Sequence, residues 1–504
     1  MLLPWLFLLS LGPAFVLAST YCTALDACWP STQVWASLNT SVNGHLIFTR
    51  PPAAPCHVLD PLLDEETCAA VNASWTSMFF RVDQPEVTQD TYWENGNASC
   101  YIDFQLDTPC EQGLVPAIVL DAHSLKDVQK GASGHDIIGR ASGEGSFLIW
   151  TRHAMRTGPG DGWANIYDLA NRSDVVVVGG TGQTVSSAGG YVMGGGHSLL
   201  SRHHGLAVDN VLQFTLVDAF GKKVIANAHR NSDLFWCLRG GRGGTFGVVT
   251  EVVHKTYPGY HKILVTTLTV SAPNSTELAS VLKVYLDLQP SLNDAQWWLT
   301  TTVQQTSFVL QAALFTPPAG VNLTQVAHEA FQSAILAAQN LSMSPTFVVQ
   351  EFPNFLAVHD TFFPPSLSGS PAVLASRLIP RHVFENTTAT TLLVQAATEP
   401  FEVIFNLFAG GAVSKAGARL HLVIFASRWT SLTPLSIRDT LRQTLTLQTS
   451  LFEPFSKGLG TNDPDWPLSF WGDNYEHLLE MKHKFDPLGV FKCPKCVGSE
   501  VFGS

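Results

Sequence analysis

At 504 residues the chain is too long for a single hydrophobic core, so two or more domains are expected. Hydrophobic residues make up 45% and charged residues 14%, the balance of a globular protein and not of a disordered one. The formal net charge is −12 with no long basic run, which argues against nucleic acid as a partner because phosphate binding needs clustered Lys and Arg.

The chain opens on MLLPWLFLLSLGPAFVLA, residues 1–18, an apolar run without a charged side chain that ends in small residues around Ala18 and Ser19. It reads as a secretory signal peptide that lacks a basic n-region, and it is short for a membrane anchor. No later stretch is long and apolar enough to cross a bilayer, so the mature chain is expected outside the cell and off the membrane. Eight Asn-x-Ser/Thr sequons agree with secretion: Asn39, Asn72, Asn97, Asn171, Asn274, Asn322, Asn340 and Asn386. Such a density predicts glycosylated surface loops.

Cysteine usage points the same way. Cys22, Cys28, Cys56, Cys68, Cys100 and Cys110 crowd residues 19–112, and Cys493 and Cys496 form a terminal CxxC. In an oxidising compartment these are disulfide candidates whose connectivity the sequence leaves open. A structural disulfide is also the expectation for the CxxC, since no second CxxC or βαβ pattern accompanies it. Cys237, in the apolar run Leu-Phe-Trp-Cys-Leu, is expected to be a buried free thiol.

Residues 113–255 are Gly-rich, with short β-branched runs between glycines. Val175 to Val178 form a strand candidate that enters Gly179-Gly180-Thr181-Gly182. Residues 211–217 place Leu212, Phe214 and Leu216 on one strand face. A turn at Gly221, a strand from Val224, a short helix over 233–238 and a strand over 248–253 follow. Residues 256–455 alternate strand candidates (262–270, 307–315, 402–408, 420–426) with amphipathic helix candidates (277–288, 325–337, 435–450). That alternation predicts an antiparallel sheet covered by helices, an α+β second domain. In residues 456–504, Asp473 and Glu476 resemble a capping box, Leu478, Met481 and Phe485 share one apolar face, and Asp486-Pro487 stops the helix.

Three glycine clusters dominate residues 130–250: GASGHDIIGR at 131–140, GGYVMGGGHS at 189–198 and GGRGGTFG at 240–247. Glycine lets backbone approach a ligand closely and point successive N–H groups at phosphate. Tight turns explain any single cluster. Three interleaved with strands suggest a nucleotide cradle. A Rossmann reading fails at Val185, where the third glycine should stand, and no acidic residue follows at the required distance. No Gly-Lys-Ser/Thr marks a P-loop. Gly196-His-Ser198-Leu-Leu lacks the closing glycine of a nucleophile elbow. His197, His203 and His204 do not have the i, i+4 spacing of helix-borne metal ligands, so no metal is expected.

These segments resemble those of the vanillyl-alcohol-oxidase/p-cresol-methylhydroxylase (PCMH) flavoproteins, most closely the berberine-bridge-enzyme-like oxidases secreted by fungi. GHDIIGRASG at 134–143 resembles the family's pyrophosphate loop. AGGYVMGGGHSLLSRHHGLAVDNV at 188–211, DLFWCLRGGRGGTFGVVTEV at 233–252 and WGDNYEHLLEMKHKFDPLGVF at 471–491 resemble three further family segments in the family's order. The resemblance implies an α+β fold with a PCMH-type FAD-binding domain over 113–255, a substrate domain over 256–455 and a C-terminal segment, 456–504, that returns to cover the flavin. It also implies that Gly134, His135, Asp136, Gly139, Arg140, Gly189, Gly190, Tyr191, Gly194, Gly195, Gly196, His197, Gly244, Thr245, Gly247, Val249, Asn474 and Tyr475 bind FAD. His135 is the residue matching the covalent tether. Gly182 stands where many relatives carry a second, cysteinyl tether, so a single attachment is expected.

The activity so implied is oxidation of a small alcohol, sugar or secondary metabolite, with hydride passing to the flavin and dioxygen as acceptor. The resemblance places the catalytic base on the substrate-domain sheet, as a Tyr, Glu or Asp, without identifying the residue. It also implies that this chain lacks some family segments. About a dozen residues, Ser124 to Gly134, stand where a helix and a strand are usual, and further shortfalls fall after Ala154-Met155, near Lys415-Ala416-Gly417 and near Leu459-Gly460-Thr461. The second expectation is therefore an inactive secreted paralogue, or a chain whose gene model skips coding segments.

Overall fold

The computed structural model describes residues 29–82, 84, 100–102, 109–110, 115–121, 147–150, 157–158, 160–365, 372–398, 402–407, 410–416, 419–429, 433–453 and 465–502. The 1–18 segment, Cys22, Cys28, Asn97 and the 134–143 loop, with Gly134, His135, Asp136, Gly139 and Arg140, lie outside the described residues. Among the described residues no helix is long and apolar enough to cross a membrane.

Two units share one interface. The larger is a seven-stranded antiparallel sheet in the order Thr346–Phe352, Ile263–Ser271, Ser307–Leu314, Trp298–Gln304, Glu402–Leu407, Arg419–Arg428, Ala372–Pro380. The period-2 alternation of these strands sends one side-chain set to each face. Leu264, Leu268, Leu299, Leu310, Phe405 and Phe425 point to the face covered by helices Ser275–Asp287, Leu323–Asn340, Thr387–Ala397 and Leu435–Ser450. Ile263, Val265, Trp298 and Ala313 point the other way, into a core shared with the Gly-rich unit.

The helices start where the sequence supplies caps. Asn274 Oδ1 accepts from Glu277 N, Asn322 Oδ1 from Thr324 N and Gln325 N, and Asn386 Oδ1 from Thr388 N and Ala389 N. All three are sequon asparagines. The expectation of sequons on loops is therefore corrected: Asn39, Asn72, Asn171 and Asn340 lie within helices and these three at helix N-caps, all exposed except Asn39, which is half-buried and accepts from Leu46 N. An N-cap side chain projects outward from the helix start, which reconciles capping with exposure.

The Gly-rich unit contains a three-stranded antiparallel sheet, Lys223–Asn227, Val211–Val217 and Val248–His254, and the pair Val175–Val177 with Thr256–Pro258. Phe214 and Leu216 are buried, whereas Leu212 is 53% exposed. Register shifts between Val211 and Gln213 and between Thr215 and Leu216 break the alternation that would have kept Leu212 on their face. In a third sheet, Leu46–Phe48 runs antiparallel to Ile118–Asp121, which pairs in parallel with Phe147–Trp150. The connection between those parallel strands, residues 122–146, carries the 134–143 loop and exceeds the dozen residues that a parallel crossover requires.

Disulfides join Cys56 to Cys68, Cys100 to Cys110 and Cys493 to Cys496, and Cys237 is a buried free thiol. The C-terminal helix runs Tyr475–Phe485 and buries Leu478 and Met481. Its capping box does not form. Asp473 lies in a preceding 3-10 turn, and Asn474, at the cap position, has αR geometry and no side-chain cap bond. A helix entered from another helical turn already points its first N–H groups along that turn, so no extended residue is present to reach back.

Candidate functional site

The second glycine cluster is shaped by what surrounds it. Strand Val175–Val177 delivers the chain to Gly179, where a Cβ would collide with the Trp163 ring and the Tyr167 hydroxyl. Tyr167 Oη donates to Gly180 O at 2.8 Å. Residues 182–188 then lie along the start of helix Trp163–Arg172, through Trp163 N to Val185 O, Ala164 N to Gln183 O and Ser187 N to Asp161 O. A single helical turn, Gly190–Met193, leads to Gly195 and Gly196 at φ +111° and +71°. That left-handed corner is closed by Val208 N to Gly195 O and Ala207 N to Gly196 O.

Tyr191 sits edge-on to Trp163 with 5.5 Å between centroids, and its hydroxyl donates to His197 O at 2.6 Å. Burial pushes the Tyr191 phenol above its ordinary range and holds His197 down to about 4. His254, whose Nε2 lies 3.2 Å from Ser187 O, is likewise held to about 4, mainly by burial. Both imidazoles are therefore neutral at physiological pH.

The third cluster touches the second. Helix Ser232–Leu238 ends with Gly241 N donating to Cys237 O, and Arg242 N then donates to Met193 O. A Cβ on Gly243 would stand 2.8 Å from Gly190 Cα, so the two backbones can meet only through glycine. Gly244 takes φ +73°, Thr245 is fully buried, and Gly247 is wedged against Leu216 and Val217 at the start of Val248–His254, the strand that holds Val249.

The C-terminal segment clamps this cluster from outside. Trp471 Nε1 donates to Gly240 O, and the Arg242 guanidinium stands 4.0 Å over the Phe470 ring. Lys482, 1% exposed, donates from Nζ to Thr245 O and to Asp486 Oδ2, each at 2.6 Å, and to Phe491 O. Asp486 also accepts from Val490 N and Phe491 N. The terminal disulfide packs on the same cluster, with Cys493 Sγ 3.7 Å from Gly244 O.

The structure thus brings Gly189, Gly190, Tyr191, Gly194, Gly195, Gly196, His197, Gly244, Thr245, Gly247 and Val249 into one neighbourhood. Asn474 is exposed, and the Tyr475 hydroxyl is engaged by Glu500 and by Gly498 N. Five polar atoms that sequence reasoning missed line the second cluster: Trp163 Nε1, Thr184 Oγ1, Ser186 Oγ, Ser187 Oγ and His254 Nδ1. All are buried and lack a hydrogen-bond partner among the described residues. Each such group costs about 1–3 kcal/mol until something completes it. The available signal was the hydroxyl-rich run Thr184-Val-Ser186-Ser187 leading directly into the glycines.

Comparison with known proteins identifies the family. Residues 445–498 match the family described as berberine and berberine like. Over 98% of its length the chain is 31% identical to the FAD-linked oxidoreductase ZEB1 of Gibberella zeae, covering 95% of that protein. The chain belongs to the FAD-linked oxidoreductases of the VAO-type, berberine-bridge-enzyme-like family. An uncharacterized FAD-linked oxidoreductase of Arthroderma benhamiae is 29% identical over 95% of this chain and 94% of its own length. The fold is similar to that of the VAO-type flavoprotein MtVAO615 from Myceliophthora thermophila, with TM-score 0.82, 26% identity and coverage of 95% and 97% of the two chains.

FAD is the family's cofactor, and the residues present fit it. Unpartnered donors at Trp163, Thr184, Ser186 and Ser187 match a ligand rich in acceptor oxygens. Gly190, with nothing within 4 Å of where a Cβ would stand, leaves backbone open to close approach.

Proposed function

We propose that the chain is a secreted, glycosylated oxidase that holds FAD through a single bond to His135 and oxidises a small molecule with dioxygen as acceptor. The observation that carries this reading is the set of unpartnered buried hydroxyl and ring donors beside two glycine segments in backbone contact. The flavin supplies hydride acceptance when bound. The protein's share is binding, orientation and exclusion of water.

Gly190, Gly244 and their neighbours let backbone N–H groups reach the cofactor's phosphates, and the 184–187 hydroxyls complete acceptor contacts. Lys482 is a positioning residue, because its amine fixes the Thr245 carbonyl and with it the peptide planes of the third cluster. His197 and His254 stay neutral, so neither imidazole adds positive charge to the cradle. The signal peptide and the sequons on exposed helix starts support secretion and glycosylation.

Purified protein should be yellow and should release hydrogen peroxide with at least one compound in a screen of alcohols, sugars and phenols. A colourless preparation, or turnover that requires added NAD, would defeat this reading. A yellow protein inert towards the whole screen would favour the paralogue that keeps the fold without turnover.

A further inference from the structure

We infer that the sequon at Asn171 carries an N-linked glycan whose first sugar sits in a cavity on the seam between the two units and braces them together. The inference rests on the reading of a secreted, glycosylated chain and adds which asparagine matters to the fold.

Asn171 is exposed in the last turn of helix Trp163–Arg172, within the sequon Asn171-Arg172-Ser173. Asn39, Asn274, Asn322 and Asn386 each spend their side-chain oxygen on a backbone amide. The Asn171 carboxamide makes no hydrogen bond among the described residues. It lines a cavity of about 310 Å³ instead.

Both units build the walls of that cavity. Asp174 and Val175 follow Asn171 in the Gly-rich unit, whereas Asn354 and Leu356 open helix Phe355–Phe362, which packs on it. The same helix meets the Gly-rich unit again at its other end. His359 Nε2 lies 3.0 Å from Thr181 O, and Gln183 Nε2 donates to Phe363 O at 2.9 Å. A sugar in the cavity therefore extends an existing seam.

The wall chemistry suits an acetamido sugar. Asn354 Oδ1 accepts from Ala357 N as the helix cap, so its amide protons remain for an acceptor oxygen. The Asp174 carboxylate at the rim can accept from a hydroxyl, and Gly259 N holds that residue at φ +51° by donating to Asp174 O at 2.9 Å. Val175, Tyr260 and Leu356, all half-buried, offer apolar surface to the C–H face of a pyranose. The volume stands at the lower end of the roughly 300–1,000 Å³ found for ligand sites, enough for one ring and not for a chain. So few contacts hold a freely diffusing sugar poorly, because they must offset its lost translational freedom. A sugar bonded to Asn171 is already in place. Attachment takes a lipid-pyrophosphate-linked oligosaccharide as donor: Asn171 Nδ2 loses a proton to solvent and bonds to the anomeric carbon, while the carbon–oxygen bond to pyrophosphate breaks and the lipid diphosphate leaves.

Timed digestion of the native protein with peptide N-glycosidase tests this, using protein secreted by a glycosylating eukaryotic host and peptide mass spectrometry at every sequon. Release at Asn171 should be about tenfold slower than at the other occupied sequons, the factor for one or two neutral hydrogen bonds that must open before the enzyme reaches the linkage. Asn354→Asp keeps the helix cap and removes the amide donor, and Leu356→Ser removes apolar wall. At least one of them should bring release at Asn171 to within about threefold of the other sites. The inference alone is overturned if Asn171 is bare while other sequons carry glycans, if its glycan leaves as fast as the rest, or if slow release is unchanged in both variants. A protein bare at every sequon would sink the glycosylation reading itself, and the inference with it.

Discussion

Replacing Lys482 with Met deletes the one cation in a buried set that spans the C-terminal helix and the third glycine cluster. The ammonium serves three acceptors, Asp486 Oδ2, Thr245 O and Phe491 O, none of which lies at the surface. Burial lowers the Lys482 pKa, and Asp486 pulls it back up. Removing one partner of a buried pair leaves the other charge uncompensated, at about 3–5 kcal/mol. Asp486 keeps its bonds from Val490 N and Phe491 N, which places the expected loss near the lower end, about 3 kcal/mol. With an unfolding entropy of about 2.1 cal/mol/K per residue, that corresponds in a chain of 504 residues to a fall in Tm of roughly 3 °C. The double variant Lys482→Met/Asp486→Asn removes both charges and keeps a carbonyl oxygen for one of those two amides, so without a stranded buried carboxylate it should be more stable than Lys482→Met alone. Differential scanning fluorimetry, following tryptophan and flavin emission in parallel, would measure both. A Tm change below about 2 °C for Lys482→Met, or a double variant less stable than the single one, would refute the claim that this pair anchors the cluster.

Further outcomes follow from the same coordinates. Gly196→Ala places a methyl 2.8 Å from both Ala207 Cβ and the Tyr191 ring at φ +71°, and should cost about 2 kcal/mol in chemical denaturation. Gly190→Ala meets nothing within 4 Å, so it should leave folding intact and lower flavin content, read from the visible absorbance of purified protein. His421 has both ring nitrogens without a partner among the described residues and is held down to about 3, first by burial and then by Arg202. An unfolded histidine protonates near pH 6.5 while the folded one stays neutral, so this stability is complete above pH 6.5 and is lost as pH falls towards 3. His421→Leu should therefore lose ~2 kcal/mol less than the parent between pH 7 and pH 5 in urea titrations. At Asn274, removing the cap by Asn274→Ala should cost about 1 kcal/mol, whereas Thr276→Ala abolishes the sequon and spares the cap. Equal Tm losses in those two variants would show that the glycan, and not the cap, stabilises the helix.

Where local pattern decides structure, the sequence was readable. Strand Val211–Val217 and helix Leu435–Ser450 fall where periodicity places them, because each buries one face and the period reports that face. Leu212 escaped because a bulge is set by pairing with Val248–His254, a partner 30 and more residues away. The order of the seven strands is equally non-local: Ile263–Ser271 pairs with Thr346–Phe352 and Ser307–Leu314, and no spacing between runs encodes that choice. At the site, glycines were legible because a Cβ would collide with Ala207 and Tyr191 at Gly196 and with the Gly190 backbone at Gly243. Lys482 was not, because a lysine on a helix next to Met481 reads as solvated until Asp486 four residues on is seen to be buried with it. The unpartnered nitrogens of Trp163 and His254 appear only once the fold has assembled around them.

The central claim is that this chain carries FAD on His135. Acid precipitation of the purified protein, followed by proteolysis and mass spectrometry of the peptide spanning 131–140, tests it directly. The account predicts a yellow pellet and one flavin-bearing peptide whose fragments place the adduct on His135, with His135→Ala releasing all colour to the supernatant. Colour wholly in the supernatant of the parent protein, or an adduct on any other residue, would contradict it.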